Sequence, residues 1–232
     1  MMPSLQTVRG AVESRLEWRR FERGLGVEQR AGLERLGSEY GGYVVPVGLV
    51  DPSWVCYSCG LGEDASFDLA LIERFGCVVH SFDPTPRAAE YGAEVARRQE
   101  KFRFFAYGVA GRDETRLFHA PRDPAHVSHS FDDLQGGGAS FEATCRSLPS
   151  LQAELGHTRL DLLKLDIEGA EYEVFGSMLA HGLRPQVICV EFHKVSSFDE
   201  MLDGARALIA EGYHAVHHDK LVVSFVSSAA SG

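Results

Sequence analysis

Residues 54–83 read WVCYSCGLGEDASFDLALIERFGCVVHSFD. A β-type run (54–58) leads into glycines, residues 64–75 carry helical spacing, and a second β-type run, CVVHSF, ends in an acid. Strand, helix and strand in that order specify parallel neighbours joined by a crossover helix. Gly60-x-Gly62-x-x-Ala65 falls at the turn from strand to helix, and Asp83 follows Gly60 by 23 positions at the tip of the next strand. Glycines let a ligand approach the backbone there, and the acid can accept hydrogen bonds from both hydroxyls of a ribose. By position this is a nucleoside site.

The same rhythm extends outward. Thr85-Pro86 opens a helix with threonine as N-cap and proline in the first turn, and RFFAYGV (103–109) reads as a third strand. The rhythm stalls between about 113 and 146, where the short β-type runs TRLFHA, HVSHSF and ASFEATC surround Gly136-Gly137-Gly138. It resumes with a helix near 147–156, the strand RLDLLKLDI (159–167), a helix at 170–181, the strand QVICVEF (186–192) and a helix at 198–211. YHAVHHDKLVVSFV (213–226) then reads as two strands about a tight turn at His218-Asp219. The expected fold is α/β: a doubly wound sheet closed by an antiparallel terminal hairpin.

Upstream, residues 4–36 are charged with a weak helical stripe through Val8, Val12, Leu16, Leu25, Leu33 and Leu36. Gly41-Gly42 then introduces YVVPVGLV, whose Pro46 suits an edge strand or a lid. The predicted division is an N-terminal helical extension with an edge or lid segment over 1–50, and one catalytic domain over 51–232. The extension serves either as a lid or as a homodimer contact.

Composition narrows the partners. The chain has 232 residues, 44% hydrophobic and 24% charged, values of an ordinary globular protein. Its net charge of −10 repels phosphate backbones and anionic headgroups, so neither nucleic acid nor a membrane surface is expected as partner. No run approaches the roughly 18 apolar residues of a membrane helix, and the N-terminus lacks the apolar core of a signal peptide, so a cytoplasmic location is expected. Five cysteines in so long a chain read as reduced thiols. Cys56-x-x-Cys59 would face opposite ways on a strand and has no second pair to complete a zinc site. His126-x-x-His129, His217-His218 and Arg97-Arg98 read as surface groups.

Charge also discriminates between cofactors. Glu63 and Asp64 stand at the helix start, where a dinucleotide would place its pyrophosphate. S-adenosylmethionine (SAM) carries a sulfonium and an ammonium and no phosphate, so it is the better guest beside two carboxylates. Either acid could instead cap the helix.

The segment DLLKLDIEGAEYEVF (161–175) sets Lys164, Asp166 and Glu168 at alternate positions near a strand end, beside the glycine turn where ligands bind in open α/β sheets. At these residues, and again in YSCGLGEDASFDLALIERFG with FDPTP, the chain resembles the FkbM family of SAM-dependent methyltransferases. The resemblance spans roughly residues 54–226. It implies a class I methyltransferase (Rossmann-like) seven-stranded sheet whose last strand is antiparallel, in agreement with the terminal hairpin. It makes Gly60, Gly62 and Asp83 cofactor residues by position, and Ser58, Cys59 and Glu63 beside them are expected to belong to the same cofactor site. Asp166 and Glu168 would line the cleft, and with Lys164 they are expected to be catalytic. Many members carry an acid two positions before the first loop glycine; here that position is Ser58, and Glu63 is the expected substitute.

Methyl transfer to oxygen requires loss of a proton, and His193, just beyond a strand end, is the expected base unless it is merely structural. Glu191, His193 and Asp166 could instead ligate a divalent metal, magnesium being suited to so many oxygens; no metal ligand is assigned. The expected activity is O-methylation of a small-molecule or glycan acceptor: a sugar, a glycoconjugate or a secondary metabolite. The alternatives are an NAD-dependent oxidoreductase and a non-catalytic module that binds SAM or a nucleoside.

Overall fold

The computed structural model describes residues 16–119, 140–193 and 197–231. The run at 54–58 becomes β3 (Val55–Cys59), whose last four side chains are all buried, because helices cover both faces of a parallel sheet. Around it lie β4 (Val78–Phe82), β5 (Phe102–Phe105), β9 (Leu162–Leu165), β10 (Val187–Glu191), β11 (Tyr213–Asp219) and β12 (Val222–Ser227). The order across the sheet is β11-β12-β10-β9-β3-β4-β5. The β3, β4, β5, β9 and β10 pairings are parallel, while β12 runs antiparallel between β10 and β11. This is the expected seven-stranded sheet with its last strand antiparallel. The hairpin turn lies at Lys220-Leu221, two residues later than read from sequence, with Lys220 in the left-handed region at φ 52°.

Two apolar cores result. One holds Tyr57, Cys59, Leu163 and Leu165 against α1 (residues 16–25), α4 (Leu148–Leu155), α5 (Glu171–Ala180) and α6 (Phe198–Ala210). The other sets Cys56, Leu162 and Cys189 against α2 (Ser66–Phe75) and the N-terminal β segments, with partly buried residues of α3 (Pro86–Arg98) packed on it. Cys56 and Cys59 thus face opposite cores, and all five cysteines are buried free thiols. Thr85 caps α3 by accepting from the Ala88 amide, with Pro86 first in the helix. Arg97 and Arg98 pair with Glu94 on its exposed face.

The N-terminal segment departs from the helical reading. The helix stops at Leu25, and Leu33 and Leu36 belong to a strand, β1 (Leu33–Leu36), paired antiparallel with β2 (Tyr43–Pro46). Gly26, Gly32 and Gly37, at φ 56°, 72° and 91°, turn the chain out of the helical path; the leucine spacing was coincidental. Leu16 is exposed, and α1 is anchored by Phe21 and Leu25, each contributing about 2 kcal/mol by burial.

RFFAYGV also splits. Tyr107 donates to the Phe105 carbonyl and bends the chain out of the sheet. The next piece, β6 (Gly108–Val109), joins β8 (Ser140–Arg146) and β7 (Glu114–His119) in a separate sheet ordered β6-β8-β7. Gly108 fits because any side chain would meet Cys145 Sγ at 2.6 Å. HVSHSF, the pair His126 and His129, and the three glycines at 136–138 lie outside the described residues. No helix among the described residues is long and apolar enough to cross a membrane.

Candidate active site

The carboxyl ends of β3, β4, β9 and β10 open into one cavity of about 720 Å³. At its floor the chain crosses from β3 to α2 through Gly60, at φ 86°, whose Cβ would lie 1.8 Å from the Asp166 carbonyl oxygen. The Gly60 amide donates to Phe82 O at 2.9 Å and the Asp166 amide to Cys59 O at 3.0 Å, so three strand tips are laced together.

Asp83 shapes this turn. Its Oδ2 accepts from the amides of Leu61 and Gly62, both at 2.9 Å, and its Oδ1 accepts from the Thr85 amide at 2.8 Å and hydroxyl at 2.7 Å. The residue assigned to ribose therefore spends four acceptor positions on the protein. Glu63 points to the rim, where it pairs with Arg87, and Asp64 accepts from Ser38 Oγ at 2.6 Å and the Ser66 amide at 2.8 Å. Neither is placed as a free anion over the turn. Ser58 and Cys59 do not line the cavity: their side chains lie within the sheet, buried against opposite faces, because the chain reaches the cleft only at Gly60.

The second motif does converge on the cleft. Lys164, only 6% exposed, donates to the Gly60 carbonyl, lies 3.5 Å from Asp166 Oδ2 and sits 5.5 Å above the Tyr43 ring. It is a strut beneath the site. Asp166 faces the cavity and accepts from the Tyr43 hydroxyl at 3.3 Å. Beyond the strand end, Glu168 adopts φ 54° and Gly169 φ 104°, a tight reversal that returns the Glu168 carboxylate toward His193. His193 Nε2 lies 3.8 Å from Asp166 Oδ1 and 3.6 Å from Glu168 Oε2. One ligand atom from each of these three residues falls within 4.8 Å of the others.

Two residues that sequence reasoning missed organise this cluster. Glu171, with no exposed surface, accepts from His193 Nδ1 at 2.9 Å and from the amides of Ile167 and Gly169. An acid in the first turn of α5 was the only sequence signal for it. Tyr43, delivered by the β1–β2 hairpin, comes from a segment read merely as edge or lid. Tyr172 adds a hydrogen bond of 2.5 Å to the His193 carbonyl.

Electrostatics alter the expected titration of His193. Burial opposes its charge, but the Glu171 hydrogen bond and the charges of Glu171, Glu168 and Asp166 outweigh that and raise its pKa to about 9. The ring is therefore an imidazolium at neutral pH, not a group titrating near 7. Glu191 lines the same wall, its pKa raised by burial and by Asp166.

Strand order, the antiparallel β12 and a cleft at the carboxyl ends of β3 and β9 are those of the class I methyltransferase fold. The Methyltransferase FkbM domain model matches residues 59–215, more than half of the chain, and the chain belongs to that family. A solved FkbM methyltransferase from Methylobacillus flagellatus KT superposes with a TM-score of 0.52 at 15% identity, covering 78% of this chain and 46% of that one. Probable methyltransferase-like protein 24 is 29% identical over 133 residues in Rattus norvegicus and 28% over 132 in Homo sapiens. Each match covers 56% of this chain, which spans only 30% of the length of either relative.

Proposed function

We propose that this methyltransferase uses SAM to methylate a hydroxyl group on a small-molecule or glycan acceptor, such as a sugar, a glycoconjugate or a secondary metabolite. The observation that carries the reading is the sharing of one cavity by the Gly60–Gly62 turn and the Asp166, Glu168 and His193 cluster. Carboxylates outnumber lysines and arginines along its wall, which favours a cofactor of net positive charge over a dinucleotide diphosphate. Bound SAM supplies an electrophilic methyl on a sulfonium.

The protein's part is placement and proton removal. The backbone at Gly60 and Gly62 would leave room for the adenosine, and Asp83, which lines the cavity, would hold the ribose hydroxyls. The acceptor hydroxyl docks against Asp166 and Glu168 and gives its proton to Nε2 of neutral His193, while Glu171 holds Nδ1 and balances the resulting charge. The flanking carboxylates make that nitrogen a stronger base than an ordinary histidine at the cost of a smaller neutral fraction near pH 7.

Thermal unfolding with saturating SAM, S-adenosylhomocysteine, NAD or NADP tests the donor. A ligand at about 100 times its dissociation constant stabilises by about 2.7 kcal/mol, a rise of several degrees. Stabilisation by SAM and its product supports the reading and opens an acceptor screen by transfer of labelled methyl. Stabilisation by NAD alone would overturn it.

A further inference from the structure

Asp68 lies in the first turn of α2 beneath the glycine turn, lining the cavity while only 2% exposed. Its Oδ1 has no hydrogen-bond partner, and neither has the buried hydroxyl of Ser58. Burial pushes the carboxyl up to about 6 against the opposing pull of Lys164 and Ser58. Lys164 offers Asp68 charge without a bond, since its ammonium is spent on the Gly60 carbonyl and Asp166. A buried carboxylate with one oxygen left unpartnered is costly, and the cost is relieved when a ligand brings a charged donor to that oxygen.

The other acids beside the glycine turn are already engaged. Glu63 pairs with Arg87 at the rim, Asp64 accepts from Ser38 and Ser66, and Asp83 holds the loop and Thr85. Asp68 combines an unpartnered oxygen with a position in the cavity wall. We propose that Asp68 is the subsite for a primary ammonium, receiving the α-amino group at the aminoacyl end of the cofactor, with the Ser58 hydroxyl as its neutral neighbour. This rests on the SAM reading above and places in the wall of α2 the acid expected at Glu63.

The test is calorimetric titration of wild type and Asp68→Asn with two probes. S-adenosylhomocysteine carries the amino acid; 5′-methylthioadenosine keeps the adenosine and thioether and lacks it. Asparagine preserves the shape of the side chain, and the truncated probe reports separately on the rest of the pocket. The variant should bind S-adenosylhomocysteine at least about tenfold more weakly and 5′-methylthioadenosine within about twofold of wild type. Unchanged affinity for S-adenosylhomocysteine would overturn the inference and leave the SAM reading standing. Equal losses for both probes would also overturn it, making Asp68 a support of the loop. Wild-type protein that binds neither probe would remove the SAM reading and this inference together.

Discussion

Nδ1 of His193 lies 2.9 Å from Oε1 of Glu171, a carboxylate with no exposed surface. The orientation of the ring and its charge are thus set from inside the protein, by a residue that never reaches the cavity wall. Glu171 also accepts from Ile167 and Gly169, so the turn that presents Asp166 and Glu168 and the ring that faces them share one internal anchor.

Replacing Glu171 with glutamine keeps an acceptor for the backbone and removes the charge. A base acts when neutral, so methyl transfer by wild type should rise with pH through about 9, the pKa to which the carboxylates lift His193. In Glu171→Gln that limb should move toward 6.5, with a plateau about tenfold lower and a stability loss of about 1–3 kcal/mol. Rate profiles from pH 6 to 10 read the effect. An unmoved limb would remove Glu171 as the positioning residue.

Gly60→Ala should be far more damaging than Gly62→Ala. The first drives a methyl into the Asp166 carbonyl, while the second meets nothing within 4 Å and suffers only from its φ of 55°. Expected losses are about 3 kcal/mol or more against about 1 kcal/mol, read as thermal midpoints. Equal midpoints would contradict the close approach of β3 to β9.

His80, 2% exposed on β4, has its pKa lowered to about 4, by burial first and then by His157 and Arg103. Below pH 6.5 the unfolded chain takes up a proton that the folded one refuses, so stability falls with falling pH, by about 2 kcal/mol between pH 6.5 and 5. His80→Phe should abolish that part of the slope in urea denaturation at the two pH values. A variant with the wild-type slope would place the acid sensitivity elsewhere.

Chelation provides a separate check on the polar cluster. In the resting protein the imidazolium of His193 stands 3.6–3.8 Å from the Asp166 and Glu168 oxygens, where a bound cation would have to displace its proton. Activity should survive treatment with a chelator. A requirement for added magnesium or manganese would recast the three side chains as metal ligands.

Much of this site was legible because its parts are local. A glycine turn followed by an acid at the next strand tip reads along the chain, and so does the alternation of Lys164, Asp166 and Glu168. What escaped depends on contacts between distant segments. Tyr43 reaches Asp166 across 123 positions, through a hairpin whose leucines imitate helical spacing. Glu171 looks like any acid in a helical first turn until the reversal at Glu168 brings the end of β10 over it. The pairing of Glu63 with Arg87 was hidden for the same reason, since Arg87 stands on the following helix, 24 positions away.

The β1–β2 hairpin is sewn to the start of α2: the Ser38 amide donates to Ser66 Oγ at 2.7 Å, and the Ser38 hydroxyl to Asp64 Oδ2 at 2.6 Å. That side of the cavity is thus tied to the segment that follows the glycine turn. Any widening of the cleft on this side would have to break both bonds and expose the buried Phe67 at the start of α2.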